Sequence, residues 1–135
     1  MDSYTSSQAR LDYYQSETFQ EISKIQNDIL EKFLDEIKVA ATAGKSETVC
    51  YDPRIIVHVQ GYPNLGITFN DNQKWLIDRL KGLGYGAWIH LGPTQYKNFN
   101  NEYVPVTNER KGNKFLGFKN SNNYWHVVGV KANWR

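Results

Sequence analysis

Apolar and polar positions change period several times along this chain, and each change marks an element. Between residues 3 and 43, Ile22, Ile25, Ile29, Phe33, Ile37 and Ala40 fall on one helical stripe, extended backwards by Leu11, Thr18 and Phe19. Glu21, Asp28, Glu31, Asp35 and Lys38 lie largely outside it. The stretch reads either as one long amphipathic helix, or as a loose arm or helix extension over residues 1–17 followed by a helix over 18–43. Thr18 to Glu21 has the form of a capping box, Ser6 or Ser7 can open a longer helix, and Gly44 closes it in either case.

Past Gly44 the period shortens to two. Glu47 to Tyr51 predicts a short strand ended by Asp52-Pro53. Arg54 to Gln60 predicts a second, with Ile55, Val57 and Val59 on one face. Residues 61–66 are turn-rich. A helix is expected over 71–83, where Leu76, Leu80 and Leu83 recur, Asn70 or Asp71 is placed to cap, and Gly84 supplies a left-handed stop. Tyr85, Ala87, Ile89 and Leu91 then alternate with Gly86, Trp88 and His90, a strand with one buried face that Gly92-Pro93 ends. Order weakens from residue 92 to 113, where only Tyr103 to Val106 can pair, at an edge, because Pro105 lacks an amide donor. Lys114 to Lys119 and Tyr124 to Trp134 read as a hairpin around Asn120 to Asn123. The composite is one α+β domain over residues 1–135: a long N-terminal amphipathic helix and one short helix on a mostly antiparallel sheet of about five strands.

Length adds an expectation about assembly. A single helix from Ser7 to Ala43 would extend over roughly 55 Å, against about 35–40 Å for a compact domain of this size. The overhang carries apolar side chains, so a homo-oligomer is expected, with Leu11, Tyr14, Phe19 and Ile22 at its interface. If the helix begins at Thr18 instead, the first residues are a loose tail.

Composition narrows the class. Hydrophobic residues make up 40% of the 135, enough for one core without metal or disulfide, and the single cysteine, Cys50, has no partner for an internal bridge. No apolar run approaches the roughly 20 residues that span a bilayer, and the first residues lack the basic and apolar regions of a signal peptide. A cytoplasmic, unsecreted protein is expected. Charge is uneven: residues 1–96 carry 9 basic and 12 acidic side chains, residues 97–135 carry 7 and 2. The C-terminal third is therefore the end that attracts anions, although a run of lysines is also what plain solvation requires.

Enzyme signatures are missing. His58, His90 and His126 form no HExxH or other short ligand pair, and one cysteine supplies no structural zinc site. There is no nucleophile elbow or phosphate loop, and the glycines of Gly82 to Gly86 follow a helix and precede a strand, the reverse of a dinucleotide motif. No catalytic residue, metal or cofactor is expected. What remains is a vocabulary of binding. Aromatic rings are concentrated in the same half as the lysines and arginines, which suits bases and phosphates, although the same rings can simply fill a small core. On the last strand Tyr124, His126, Val128, Val130, Ala132 and Trp134 share the face expected to meet the helices. Trp125, Lys131 and Arg135 point outward, with Gly129 leaving the backbone approachable. Arg110 to Lys114 is a basic loop whose glycine lets amides face an anion. The candidate ligand-binding residues are Trp88, Arg110, Lys111, Lys114, Trp125, Lys131 and Arg135.

The order of elements resembles a pattern in small accessory proteins of tailed bacteriophages. It comprises the amphipathic helix ending Ile37 to Gly44, a strand through Val49, the helix with Leu76 and Leu80, Leu83-Gly-Tyr85, a further strand, and a last strand ending in Trp134. The resemblance implies a viral origin, among proteins that include virion components, inhibitors of host enzymes and sponges for nucleotide immune signals. The expectation is a non-enzymatic viral accessory protein that binds a small nucleotide-like anion in an oligomer, in an anti-defence role. The alternatives are a virion or host-blocking interaction protein without a ligand, and a nucleic-acid-binding protein.

Overall fold

The computed structural model describes residues 3–61, 66–106 and 124–135. Among the described residues the elements run α1 (Ser6–Gln15), α2 (Glu17–Thr42), β1 (Glu47–Cys50), β2 (Val57–Gln60), α3 (Asp71–Gly82), β3 (Gly86–Lys97), β4 (Tyr103–Pro105) and β5 (Trp125–Asn133). This is an α+β fold with an antiparallel sheet of five strands. The last strand in sequence is central in space. β5 pairs with β3 along one side and, along the other, with β1 and then β2, while β4 pairs with the far side of β3.

Strand alternation decides where the core lies. Val128, Val130 and Ala132 of β5 are fully buried, opposite Leu91, Ile89 and Ala87 of β3. Against that face pack α3, through Leu76 and Leu80, and α2, through Ile29, Phe33 and Ile37. Each such side chain contributes about 1.5–3 kcal/mol by leaving water. The helices end as the glycine pattern predicts. Gly44 (φ 85°) and Gly84 (φ 97°) take the left-handed conformation. Lys45 N donates to Ala40 O and Tyr85 N to Leu80 O, so both helices finish in the six-to-one bond of a Schellman motif. Asn70 is the cap of α3, its Oδ1 accepting from Gln73 N at 2.7 Å.

Four expectations need correction. The N-terminal stretch is neither one rod nor a loose arm but two helices broken at Ser16 (φ −68°, ψ 149°). The Ser16 hydroxyl donates to Tyr13 O at 2.7 Å and accepts from Phe19 N at 3.1 Å, so one side chain ends α1 and caps α2, displacing Thr18 from that role. The second strand starts only at Val57, because Asp52 turns the chain: Asp52 O accepts from Ile55 N and Ile56 N. Residues 51–56 thus leave the sheet between β1 and β2, and Arg54 bridges Asp52 (2.8 Å) and Asp28 of α2 (2.9 Å).

β3 does not stop at Gly92-Pro93. It runs to Lys97 across a bulge between Leu91 and Thr94, one residue more than β5 spends over the same distance. Finally, Leu83 lies outside the buried stripe of α3, since it is the exposed C-cap residue. The predicted strand over 114–119 and its turn lie outside the described residues. No helix among the described residues is long and apolar enough to cross a membrane.

Candidate functional site

The face of the sheet turned away from the helices carries the side chains with chemistry. At the end where β5 finishes, Trp88 of β3 stands opposite Lys131, and Val49 of β1 flanks Lys131 on its other side. Trp88 remains 41% exposed. Its ring lies beside Gly86, where an added Cβ would meet both the indole and Asn133 Oδ1. Lys131 Nζ is held 3.1 Å from Glu47 Oε1, its side chain only 19% exposed. Arg135 is exposed just past the end of the strand. His90, opposite Gly129 in the next outward position, has its pKa pushed below the ordinary histidine value, first by burial and then by the positive charge of Lys131.

The middle of this face is closed. Tyr51 lies across it, its ring 3.7 Å from where a Gly129 Cβ would stand and its hydroxyl 3.5 Å from the same point at Gly92. A Gly129 Cβ would also stand 2.7 Å from Cys50 O. Gly129 therefore serves the close approach of β1 and Tyr51, and does not leave the backbone approachable. Val127, on the outward face by alternation, is buried as well. Cys50 points to the core, and burial pushes its thiol up to about 11.

The far end holds a second cluster. His58 stacks on Tyr103 with ring centroids 3.7 Å apart and planes within 4°, and its Nδ1 lies 3.2 Å from Gln95 Oε1. Tyr103 meets Trp125 edge-on at 5.4 Å. Lys97 Nζ sits 4.8 Å from the Trp125 ring centroid and 5.4 Å from that of Tyr103. The Trp125 ring is thus already engaged by a cation and a neighbouring ring.

Trp125 and Lys131 stand six residue steps apart along β5, about 20 Å. The structure therefore brings Trp88 and Lys131 together at one end, with Arg135 exposed beyond them, and leaves Trp125 at the other. Arg110, Lys111 and Lys114 lie outside the described residues. The site expected from the sequence left out His58, Gln95, Lys97 and Tyr103, and Gln95 and Lys97 reach this face because the bulge at Gly92-Pro93 flips the alternation of β3. Without that extra residue Gln95 and Lys97 would face the core.

Of the expected interface residues, Leu11, Tyr14 and Ile22 are exposed, while Phe19 is half-buried against Tyr13 and Tyr14. An open depression of about 480 Å³ beside α2 is lined by Lys24, Ile25, Asn27, Asp28, Glu31 and Arg54. Its arginine is committed to Asp28 and Asp52, which leaves it little capacity for an anion. His126, buried, places Nδ1 2.8 Å from Gly61 O and Nε2 3.2 Å from Thr94 Oγ1, the geometry of a structural histidine. Among the described residues no three His, Cys, Asp or Glu side chains converge as metal ligands. Compared with known proteins, the chain matches no protein-family model, no curated protein and no solved structure.

Proposed function

We propose that this chain is a non-enzymatic accessory protein that binds a small, planar, anionic ligand of the nucleotide class at the Trp88 end of the outer sheet face. The observation that carries the reading is the cross-strand placement of an exposed indole beside Lys131, with Arg135 at the same end. A base stacked on Trp88 is worth about 1–3 kcal/mol. A phosphate competes with Glu47 for Lys131 and takes Arg135 as a second donor. The phage-like order of elements supports a viral origin, in which such binding sequesters a host nucleotide signal.

Thermal denaturation against a panel of nucleotides and cyclic dinucleotides tests this. A true ligand at about 100 times its Kd raises the midpoint by on the order of 10 °C. Trp88→Ala then weakens binding about 5- to 150-fold, and Trp125→Ala leaves it unchanged. Silence across the panel at millimolar ligand overturns the reading. Salt-sensitive retardation of oligonucleotides by an otherwise silent protein would instead make it a nucleic-acid binder.

A second reading, an interaction protein without a ligand, is favoured by Phe99. This side chain is fully exposed at the β3–β4 turn, which Asn98 Oδ1 braces by accepting from Asn100 N and Glu102 N. Recovery of the protein in purified virions, with the ligand panel silent, would select it.

A further inference from the structure

The arm formed by α1 is poorly supported by its own chain. α1 buries no side chain, and a helix of ten residues is marginal in water without a surface to lie on. On this arm and the start of α2 large apolar side chains face solvent: Leu11 at 55% exposure, Tyr13 at 53%, Tyr14 at 52%, Ile22 at 39% and Ile25 at 44%. The arm cannot fold back to cover Ile22 and Ile25. Ser16 is extended and bonded to both helices, and Tyr13, Tyr14 and Phe19 pack together with centroids 5.0 to 5.6 Å apart, which fixes the corner.

We infer that a second copy of this chain covers the surface in a two-fold contact, the arm of each copy lying with Leu11 and Tyr14 on Ile22 and Ile25 of the other. Area supports a copy of the same chain. Five side chains with about half their surface open amount to roughly 500 Å² of apolar area. With a polar margin that approaches the roughly 800 Å² per partner of a standard interface. Chemistry supports it too. The patch is aromatic toward the arm and aliphatic along α2, so a two-fold antiparallel contact sets rings on aliphatic side chains, uses each half once and closes at two copies. The flanking charges are of both signs, Arg10 and Lys24 with Asp12, Glu17 and Glu21, so a two-fold contact can set opposite charges against each other.

Sedimentation equilibrium of the full chain tests the inference, with a dimer as the expected result. Ile22→Glu and Ile25→Glu weaken it by at least about tenfold. Val39→Glu, at a site still more exposed on α2 but away from the patch, leaves it unchanged. Chains carrying Leu11→Cys and Ile25→Cys, mixed and treated with a short bismaleimide, join to each other, and buried Cys50 does not compete. That cross-link decides the matter should the glutamate variants fail to fold. A monomer at roughly 100 μM, a Val39→Glu effect as large as that of Ile22→Glu, or cross-linking of Leu11→Cys only to itself overturns the inference.

Discussion

Gln73 shows how a single polar side chain can tie three segments together. It is wholly buried on the inward face of α3, where Oε1 accepts from Phe69 N at 2.8 Å and Nε2 donates to Ile55 O at 2.9 Å, with Val128 O at 3.4 Å. The loop before α3, the excursion between β1 and β2, and the central strand all depend on it. Gln73→Leu keeps the volume but strands the Phe69 amide and leaves the Ile55 carbonyl only the long 3.4 Å bond from Asn70 Nδ2, so it should cost about 1–3 kcal/mol, read from urea unfolding midpoints with unchanged slope. Helical periodicity cannot announce such a residue, since it marks Gln73 only as polar. His90 carries a different signal. Its depressed pKa means that the unfolded chain takes up a proton first as pH falls below about 6.5, so its contribution to stability is present above that value and fades beneath it. An anion neutralising Lys131 removes part of the cause. Titration by NMR should show the His90 pKa rise on adding ligand, and an unchanged value would place the ligand elsewhere.

The elements differ in how legible they are, and for identifiable reasons. α3 and the first half of β3 follow from local spacing, a cap and a glycine, all within one contiguous stretch. So does the end of α2. The break at Ser16 was hidden because the apolar stripe passes through it, and only the double use of one hydroxyl reveals the corner. β3 was hidden differently. Gly92 and Pro93 are strand terminators in isolation, yet here they supply the bulge. A Cβ at Gly92 would stand 2.6 Å from Val127 Cγ1, so a glycine suits that crossing. The outer cluster of His58, Gln95, Lys97, Tyr103 and Trp125 depends on that slip of one residue, and no local pattern encodes it. By contrast Trp88 and Lys131 were legible as outward residues because both strands alternate regularly there. Their meeting depended on β3 pairing with β5.

At the scale of the molecule, α2 is held to the sheet by packing and by one charged clasp. Arg54, on the excursion, meets Asp28 on α2 and Asp52 beside it, and Lys32 adds a second cation 3.2 Å from Asp28. Hydrogen bonds from Arg54 hold both carboxyls below their ordinary pKa. The stabilisation they give is present above the unfolded carboxyl pKa of about 3.9 and is lost as pH falls through the depressed folded values. These groups are partly solvated, which keeps the effect modest. Arg54→Ala should therefore flatten the acid limb of a stability-against-pH curve below about pH 4 and lower the plateau above it. An acid limb as steep as the parent's would mean that other carboxylates carry it.

The interruption between β1 and β2 has one more effect. Along that side of β5 the chain shows two four-residue pieces separated by a detour, and on the opposite flank β4 has three residues, one of them Pro105. Neither stretch is a usable template for strand addition from a neighbouring molecule. Strand addition along these two stretches is thereby discouraged.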